Sequence, residues 1–395
     1  MGTRQNYTGF GYGRFGSMTF GQVPETSTFE TELAAQASSP RIRFVFKSHE
    51  YDEYVLKVTQ IERSGELKVG TCFVTLSNTD GKWNDFYQYP LTDMGKTCNI
   101  GLYFPVVGND DILYLFTGTV KNVSYQDATA ILTVQDKMAR VLDTTLGGNN
   151  EVSEFYTKPW TPGAMAWELL TDYANLSSIK TSQNPDIDYD SWSSWHSDTM
   201  SYSLCARFAG QSLRTALLKL GRLTNSLIWV DGESRFKFSM FSTGQSPDMT
   251  ATVSDAIIDL DVDTSTIINS VGVKYGFSPT TDTWIDMVAD ANTASQGVFG
   301  TIEEIFKDTI LWHYTEASAT AFAAAFLDAW SMPVERINVH QCMKGYAADL
   351  ATVVAVTEPL KELSSRPYWI DRIIYTVRQG SDDDGTVRYE GRYAG

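Results

Sequence analysis

The chain has 395 residues, of which 48 are acidic and 31 basic, giving a formal net charge of −17. That balance excludes a protein that grips nucleic acid by neutralising phosphates. An apolar share of 43% and an aromatic share of 13% exclude a disordered chain and suffice for two or three domain cores at this length.

Residues 1–38 are glycine-rich with interspersed aromatics, as in Gly9-Phe10-Gly11-Tyr12-Gly13-Arg14-Phe15-Gly16. Such a segment cannot build a core and reads as an arm packed on a neighbour. From residue 39 to about 150 alternating runs dominate: Ile42 to Phe46, Tyr54 to Val58, Cys72 to Leu76, then a hairpin from Leu115–Val120 to Ile131–Val134. Strands at short spacing with turn residues between them predict a small antiparallel β-barrel or sandwich.

The pattern changes at Thr161-Pro162, where a threonine cap precedes proline at the first helical position, predicting a helix over 162–176. Ser212 caps a second helix carrying Leu213, Ala216, Leu217 and Leu220, and a hairpin follows through Asp231-Gly232. Residues 151–254 therefore read as an α/β segment. Residues 255–395 return to strands, interrupted by a helix near 316–331 with Phe322, Phe326 and Trp330 at i, i+4 and i+8, which Pro333 ends. The closing hairpin runs from Tyr368–Ile373 to Thr386–Tyr389. The fold class expected is α+β, mainly β: two similar small antiparallel β-barrel domains flanking an α/β segment.

The two hairpins echo each other. Setting Phe116 over Trp369 also sets Val120 over Ile373, spacings that fall on one face of a strand. Duplication is the reading carried forward; coincidence between two amphipathic hairpins is the alternative.

Sites of chemistry are sparse. Gly11-x-Gly13-x-x-Gly16 has dinucleotide-loop spacing but no apolar strand ahead and no helix behind. The ladders Asp186-x-Asp188-x-Asp190 and Asp259-x-Asp261-x-Asp263 lack the glycine and glutamate that a calcium loop needs, so they read as solvated edges or loops. Asp382-Asp383-Asp384-Gly385 reads as a turn. Cys72, Cys98, Cys205 and Cys342 are isolated and read as buried thiols in a reducing compartment; His49, His196, His313 and His340 show no metal-binding spacing. No serine lies in a nucleophile elbow. No catalytic residue, metal site or cofactor is expected. Trp192 and Trp195, beside Tyr189 and Tyr202, read as a patch buried against another subunit, with a sugar-stacking platform as the alternative. The amino terminus has no apolar signal core and no window approaches the roughly 18 apolar residues of a span, so folding in the cytoplasm and no membrane-spanning segment are expected.

At Val74 to Trp83 a strand ends in Leu-x-Asn-x-Asp-Gly-basic-aromatic, with Asn78, Asp80, Gly81 and Trp83 in the motif. Phe116-Thr117-Gly118 then opens a hairpin whose second strand closes on Asp136. This arrangement resembles the first domain of bacteriophage tail hub proteins, the baseplate or tail-tip hub family related to the contractile-tail hub. More weakly, the resemblance extends through the Ser212 helix to the Trp369 hairpin, which is similar to the family's second barrel; residues 1–38 depart from it. The resemblance implies a non-enzymatic homotrimer at the distal end of the virion tail. Its two barrels per chain would make a ring of six between the tail tube or distal tail protein and a central spike or fibre. The tape measure protein would be a further partner, and DNA would cross only in transit, through a lumen to which an acidic wall would not bind it. The alternatives from other classes are a tail-tip cell-wall-degrading enzyme, glycoside hydrolase or peptidase, and a carbohydrate-binding tail module.

Overall fold

In a computed structural model, residues 14–15, 18–19, 41–67, 70–84, 96–103, 112–147, 155, 158–341, 343–378 and 386–394 are described. The glycine arm, apart from the two-residue strands β1 (Arg14–Phe15) and β2 (Met18–Thr19), the acidic turn at 382–385 and Cys342 lie outside them.

Seven strands follow the arm: β3 (Arg41–Phe46), β4 (His49–Glu50), β5 (Val55–Ser64), β6 (Thr71–Ser77), β7 (Thr97–Tyr103), β8 (Ile112–Gln126) and β9 (Thr129–Asp136). Their alternation is the cause of their burial: Cys72, Val74 and Leu76 of β6 and Ala130, Leu132 and Val134 of β9 are each fully covered, while the residues between them are not. A short helix, α1 (Ala139–Leu142), leads out.

The middle segment holds α2 (Pro162–Glu168), α3 (Tyr189–Asp198), β10 (Leu204–Ala206), α4 (Leu213–Leu223), β11 (Ser226–Val230) and β12 (Phe236–Met240). The caps read from sequence form. Thr161 Oγ1 accepts from Ala164 N at 3.4 Å and Ser212 Oγ from Thr215 N at 3.3 Å. The first helix is shorter than expected, because its α-turns pass into a π-helical stretch over Leu169–Tyr173.

The last part contains β13 (Met249–Thr252), β14 (Ala256–Asp263), β15 (Ser270–Tyr275), β16 (Asp286–Ala291), α5 (Thr293–Phe299), β17 (Glu303–Phe306), β18 (Leu311–His313), α6 (Glu316–Trp330), β19 (Val334–Gln341), β20 (Val353–Glu358), β21 (Leu363–Arg378) and β22 (Thr386–Tyr393).

One sheet dominates. Its strands run in the order β14, β19, β22, β21, β5, β6, β9, β8, β7, β3, β4, with β20 and β13 added beside β21. The antiparallel pairing of β21 with β5, Arg372 opposite Ser64 and Ile374 opposite Glu62, joins the two ends of the chain. A single apolar core follows from that join, with Phe44, Val74, Val120 and Leu132 packed in the same cluster as Val339, Tyr368, Ile373 and Tyr389. The sheet therefore crosses the boundary expected at residue 254, and among the described residues its pairings form an open path rather than two closed barrels. The segment from β15 to α6 leaves this sheet altogether. It builds a second core with the middle helices, in which Val271, Val273, Phe322 and Phe326 pack with Trp167, Leu217 and Phe236, and β10 pairs with β18.

The echoed hairpins are both present: β8 and β9 have 15 and 8 residues, β21 and β22 have 16 and 8. Val120 and Ile373 are fully buried in the common core, as their alignment requires. Trp369 departs from it. A bulge between Ile370 and Arg372 inserts one residue against β22, which flips strand parity, so Trp369 faces a separate cluster with Phe241 and Val353. Phe116 stays in the large core with Val120, because no bulge separates them.

Gly118 of β8 has no room for a side chain: a Cβ would sit 2.5 Å from Gln135 O and 2.8 Å from Val134 Cγ1. Gly118→Ala is expected to cost about 1–3 kcal/mol, read as a lower denaturation midpoint at unchanged slope.

Candidate functional site

The turn after β6 is a self-closing lock. Asn78 Oδ1 accepts from Trp83 N at 2.9 Å, Asn78 Nδ2 donates to Asn84 Oδ1 at 2.9 Å, and Gly81 takes φ 72°, a left-handed conformation that suits glycine. Asp80 Oδ1 accepts from Lys82 N at 3.1 Å and its Oδ2 from the Tyr54 hydroxyl at 3.0 Å; these donors, the Lys82 amide foremost, hold its carboxyl below the usual range. Trp83 is driven inward, its ring 5.1 Å from Tyr51 and 5.8 Å from Tyr54, while Lys82 Nζ lies 4.2 Å over Tyr54. The motif Asn78, Asp80, Gly81 and Trp83 thus orders the β6 end and the aromatic cluster beneath it.

Phe116 and Gly118 lie at the point where the three parts of the chain meet. Thr117 Oγ1 donates to Gly232 O at 3.0 Å, and Ser234 Oγ donates to Thr117 O at 2.8 Å, so the β11–β12 turn rests on β8. A Cβ on Gly232 would overlap the Tyr114 carbonyl, which is why that approach needs glycine. Beneath it Arg63 of β5 donates to Asp349 Oδ1 at 2.9 Å, to the Tyr375 hydroxyl at 3.3 Å and to the Leu115 carbonyl. Lys237 Nζ stands 3.6 Å from Asp349 Oδ2, and Trp229 Nε1 donates to the same oxygen at 3.5 Å. Burial opposes the charge on Arg63, but Tyr375, Asp349 and Asp231 outweigh it and raise its pKa. Sequence reasoning found the Asp231-Gly232 turn but not this junction, since Arg63 and Asp349 are 286 positions apart and no local pattern links them.

Asp136, the residue closing β9, lines a cavity of about 20 Å³ beside Arg63, room for about one water. Burial pushes its carboxyl up to about 6, although Met138 N donates to it at 2.6 Å. The folded-state value lies above the ordinary 3.8, so this group favours folding below about pH 4 and loses that contribution as pH rises through 6. Asp136→Asn keeps the acceptor for Met138 and removes the charge. It is expected to add on the order of 1–3 kcal/mol at pH 7.5 and nothing below pH 4, read by urea unfolding at both values.

Trp192 and Trp195 correct the sequence reading. Neither faces another subunit nor offers a sugar platform: they are 7% and 1% exposed and belong to the core of their own chain. Trp192 Nε1 donates to Gly163 O at 3.0 Å and stacks on His196; Trp195 Nε1 donates to Ser226 Oγ at 2.8 Å and stacks on Phe238. Both ring faces are taken because α3 lies between α2 and β12.

The acidic ladders do local structural work. Asp188 caps α3 through Ser191 N at 2.9 Å, Asp186 accepts from Ser177 N at 3.0 Å, and Asp263 accepts from Ser265 N at 2.8 Å. Among the described residues no group of three His, Cys, Asp or Glu could hold a metal ion. His313 Nδ1 and Ser318 Oγ lie 2.8 Å apart, but both side chains are buried, and Ser318 Oγ also accepts from Ser203 N at 2.9 Å. Cys72, Cys98 and Cys205 are free and buried, and burial pushes Cys98 and Cys205 up to about 12. No described helix is long and apolar enough to cross a membrane.

The fold recurs in known structures. The 43 kDa tail protein of prophage MuSo2 from Shewanella oneidensis superposes with a TM-score of 0.56 at 12% identity, covering 89% of this chain and 98% of that one. The tail protein from Neisseria meningitidis MC58 gives 0.57 at 11% identity, covering 90% and 97%. This chain has the fold of phage tail proteins. A third tail-protein structure, prophage gp18 from Listeria monocytogenes EGD-e, gives 0.50 at 10% identity with 89% and 94% covered. No protein-family model and no curated protein sequence matches the chain. The likeness covers 89–90% of this chain and nearly all of each of these tail proteins.

Proposed function

We propose that the chain is a non-catalytic hub subunit of a bacteriophage tail. Three copies form a ring at the distal end of the virion tail that joins the sixfold tail tube to a trimeric spike or fibre. The observation that carries this reading is the pair of hairpins, 15 and 8 residues against 16 and 8, placed in one continuous sheet. Two similar elements per chain give six positions from three copies, which is what matching a sixfold tube requires, and head-to-tail contacts close such a ring. Among the described residues β14 has one strand partner, β19, and along it Ile257 and Val262 are exposed among Asp259, Asp261 and Asp263, while Lys361 donates to the Ile258 carbonyl. The tape measure protein and the distal tail protein are the further partners on this reading, and DNA crosses an acidic lumen without binding.

Light scattering coupled to size exclusion tests the subunit count. The expected species has three times the chain mass, and a chain that stays monomeric at every concentration would contradict the ring. Zymograms against peptidoglycan are expected to stay blank across pH; a cleared band would revive the hydrolase reading.

A further inference from the structure

Between α6 and the β21–β22 hairpin lies a pocket of about 430 Å³, walled by Phe326, Trp330 and Trp369 and floored by Asp371 and Arg392. That volume falls in the range of small-ligand sites. Its charge comes from a cross-strand row in which Asp261, Arg336, Arg392 and Trp369 stand directly opposite one another on β14, β19, β22 and β21. Two arginines side by side repel. Arg336 is neutralised, donating to both carboxylate oxygens of Asp371 at 2.9 and 2.8 Å. Arg392 feels the same carboxylate without a matching pair of hydrogen bonds to it. It is 6% exposed, its Nε has no hydrogen-bond partner, and its guanidinium lies 3.5 Å from the Phe241 centroid, 4.9 Å from Trp330 and 5.1 Å from Trp369. Aromatic faces offset part of the cost of burying a cation but accept none of its five donors. Burial lowers its pKa only to about 10, so it stays charged at neutral pH. A guanidinium with an unpartnered Nε therefore borders a pocket with aromatic walls.

We propose that this pocket binds a carboxylate carried on an apolar body, with the carboxylate on the Arg392 guanidinium and the body against Phe326 and Trp330. A planar guanidinium matches a carboxylate in a fork of two hydrogen bonds. This inference is independent of the hub reading, since it concerns a pocket within one chain.

Calorimetric titration of the full chain with phenylpropionate, and with the neutral phenylpropanamide, tests it. The acid is expected to bind at least about tenfold tighter than the amide, and Arg392→Met, which keeps length and apolar contact, to lose at least about tenfold of the acid's affinity. The acid–amide comparison needs no variant, so it stands even where Arg392→Met fails to fold. A second arm uses acetyl-phenylalanyl-aspartyl-phenylalanine amide, whose only anion is a side-chain carboxylate. Tighter binding of this peptide assigns the pocket to an acidic segment of a protein partner, and tighter binding of phenylpropionate to a free acid. Saturation by neither carboxylate, equal binding of acid and amide, or full affinity in a folded Arg392→Met variant would overturn the proposal.

Discussion

Asp349→Ala is expected to destabilise the fold by about 3–5 kcal/mol, because it leaves the Arg63 charge buried without its counter-ion. Arg63 sits under the β11–β12 turn and cannot turn to solvent, since Leu115, Tyr375 and Asp349 surround its guanidinium. Lys237, 3.6 Å from Asp349 and more exposed, would recover hydration that Arg63 cannot. The double change Arg63→Met with Asp349→Leu removes both charges and keeps much of the volume, so it is expected to cost less than Asp349→Ala alone, by at least about 1 kcal/mol. Denaturant unfolding of the wild type, the single and the double variant decides the point. If the double variant is the least stable of the three, hydrogen bonding to Leu115 and Tyr375 dominates and the ion pair is secondary.

Acid should unfold this protein through His313. Burial holds its imidazole down to about 3 from an ordinary 6.5, among Tyr202 and Phe322, with Ser318 as its partner. The unfolded chain therefore takes up a proton on this group at a higher pH than the folded chain does. The stability conferred by keeping it neutral is complete above 6.5, and it falls away as pH drops towards 3, by at most about 5 kcal/mol for a shift of this size. Asp136 acts with the opposite sign between 4 and 6, so the net curve is shallower there than His313 alone would give. His313→Asn, which keeps a polar group towards Ser318, is expected to lose some stability at pH 7.5 but to flatten the acid limb. An unchanged slope between pH 6.5 and 4 in the variant would show that other groups drive acid unfolding.

Local signals were legible in the sequence. Thr161 with Pro162, Ser212, and the Phe322–Phe326–Trp330 spacing each name a helix because a cap and a 3.6-residue period are written in adjacent residues. The Asn78–Trp83 turn is legible for the same reason, its hydrogen bonds closing within six positions. Long-range decisions were not. The β5–β21 pairing that fuses both halves of the sheet connects residues more than 300 positions apart, and alternation says only that each strand has a buried face, not which strand covers it. Trp192 and Trp195 read as an interface from sequence because a short amphipathic helix shows the same stripe whether its own chain or a neighbour covers it. Trp369 lies on the face opposite the one its alignment with Phe116 implies, because one bulge residue, invisible in composition, reverses everything before it. Arg392 carried no signal either, since an unpaired buried arginine is defined by what fails to surround it.

The direct test of the hub reading is electron microscopy of phage particles carrying a labelled copy of this chain. The account predicts label only at the distal end of the tail, three copies per particle, with each chain occupying two of six positions around the lumen. Label along the tail shaft, or six copies each occupying one position, would contradict it.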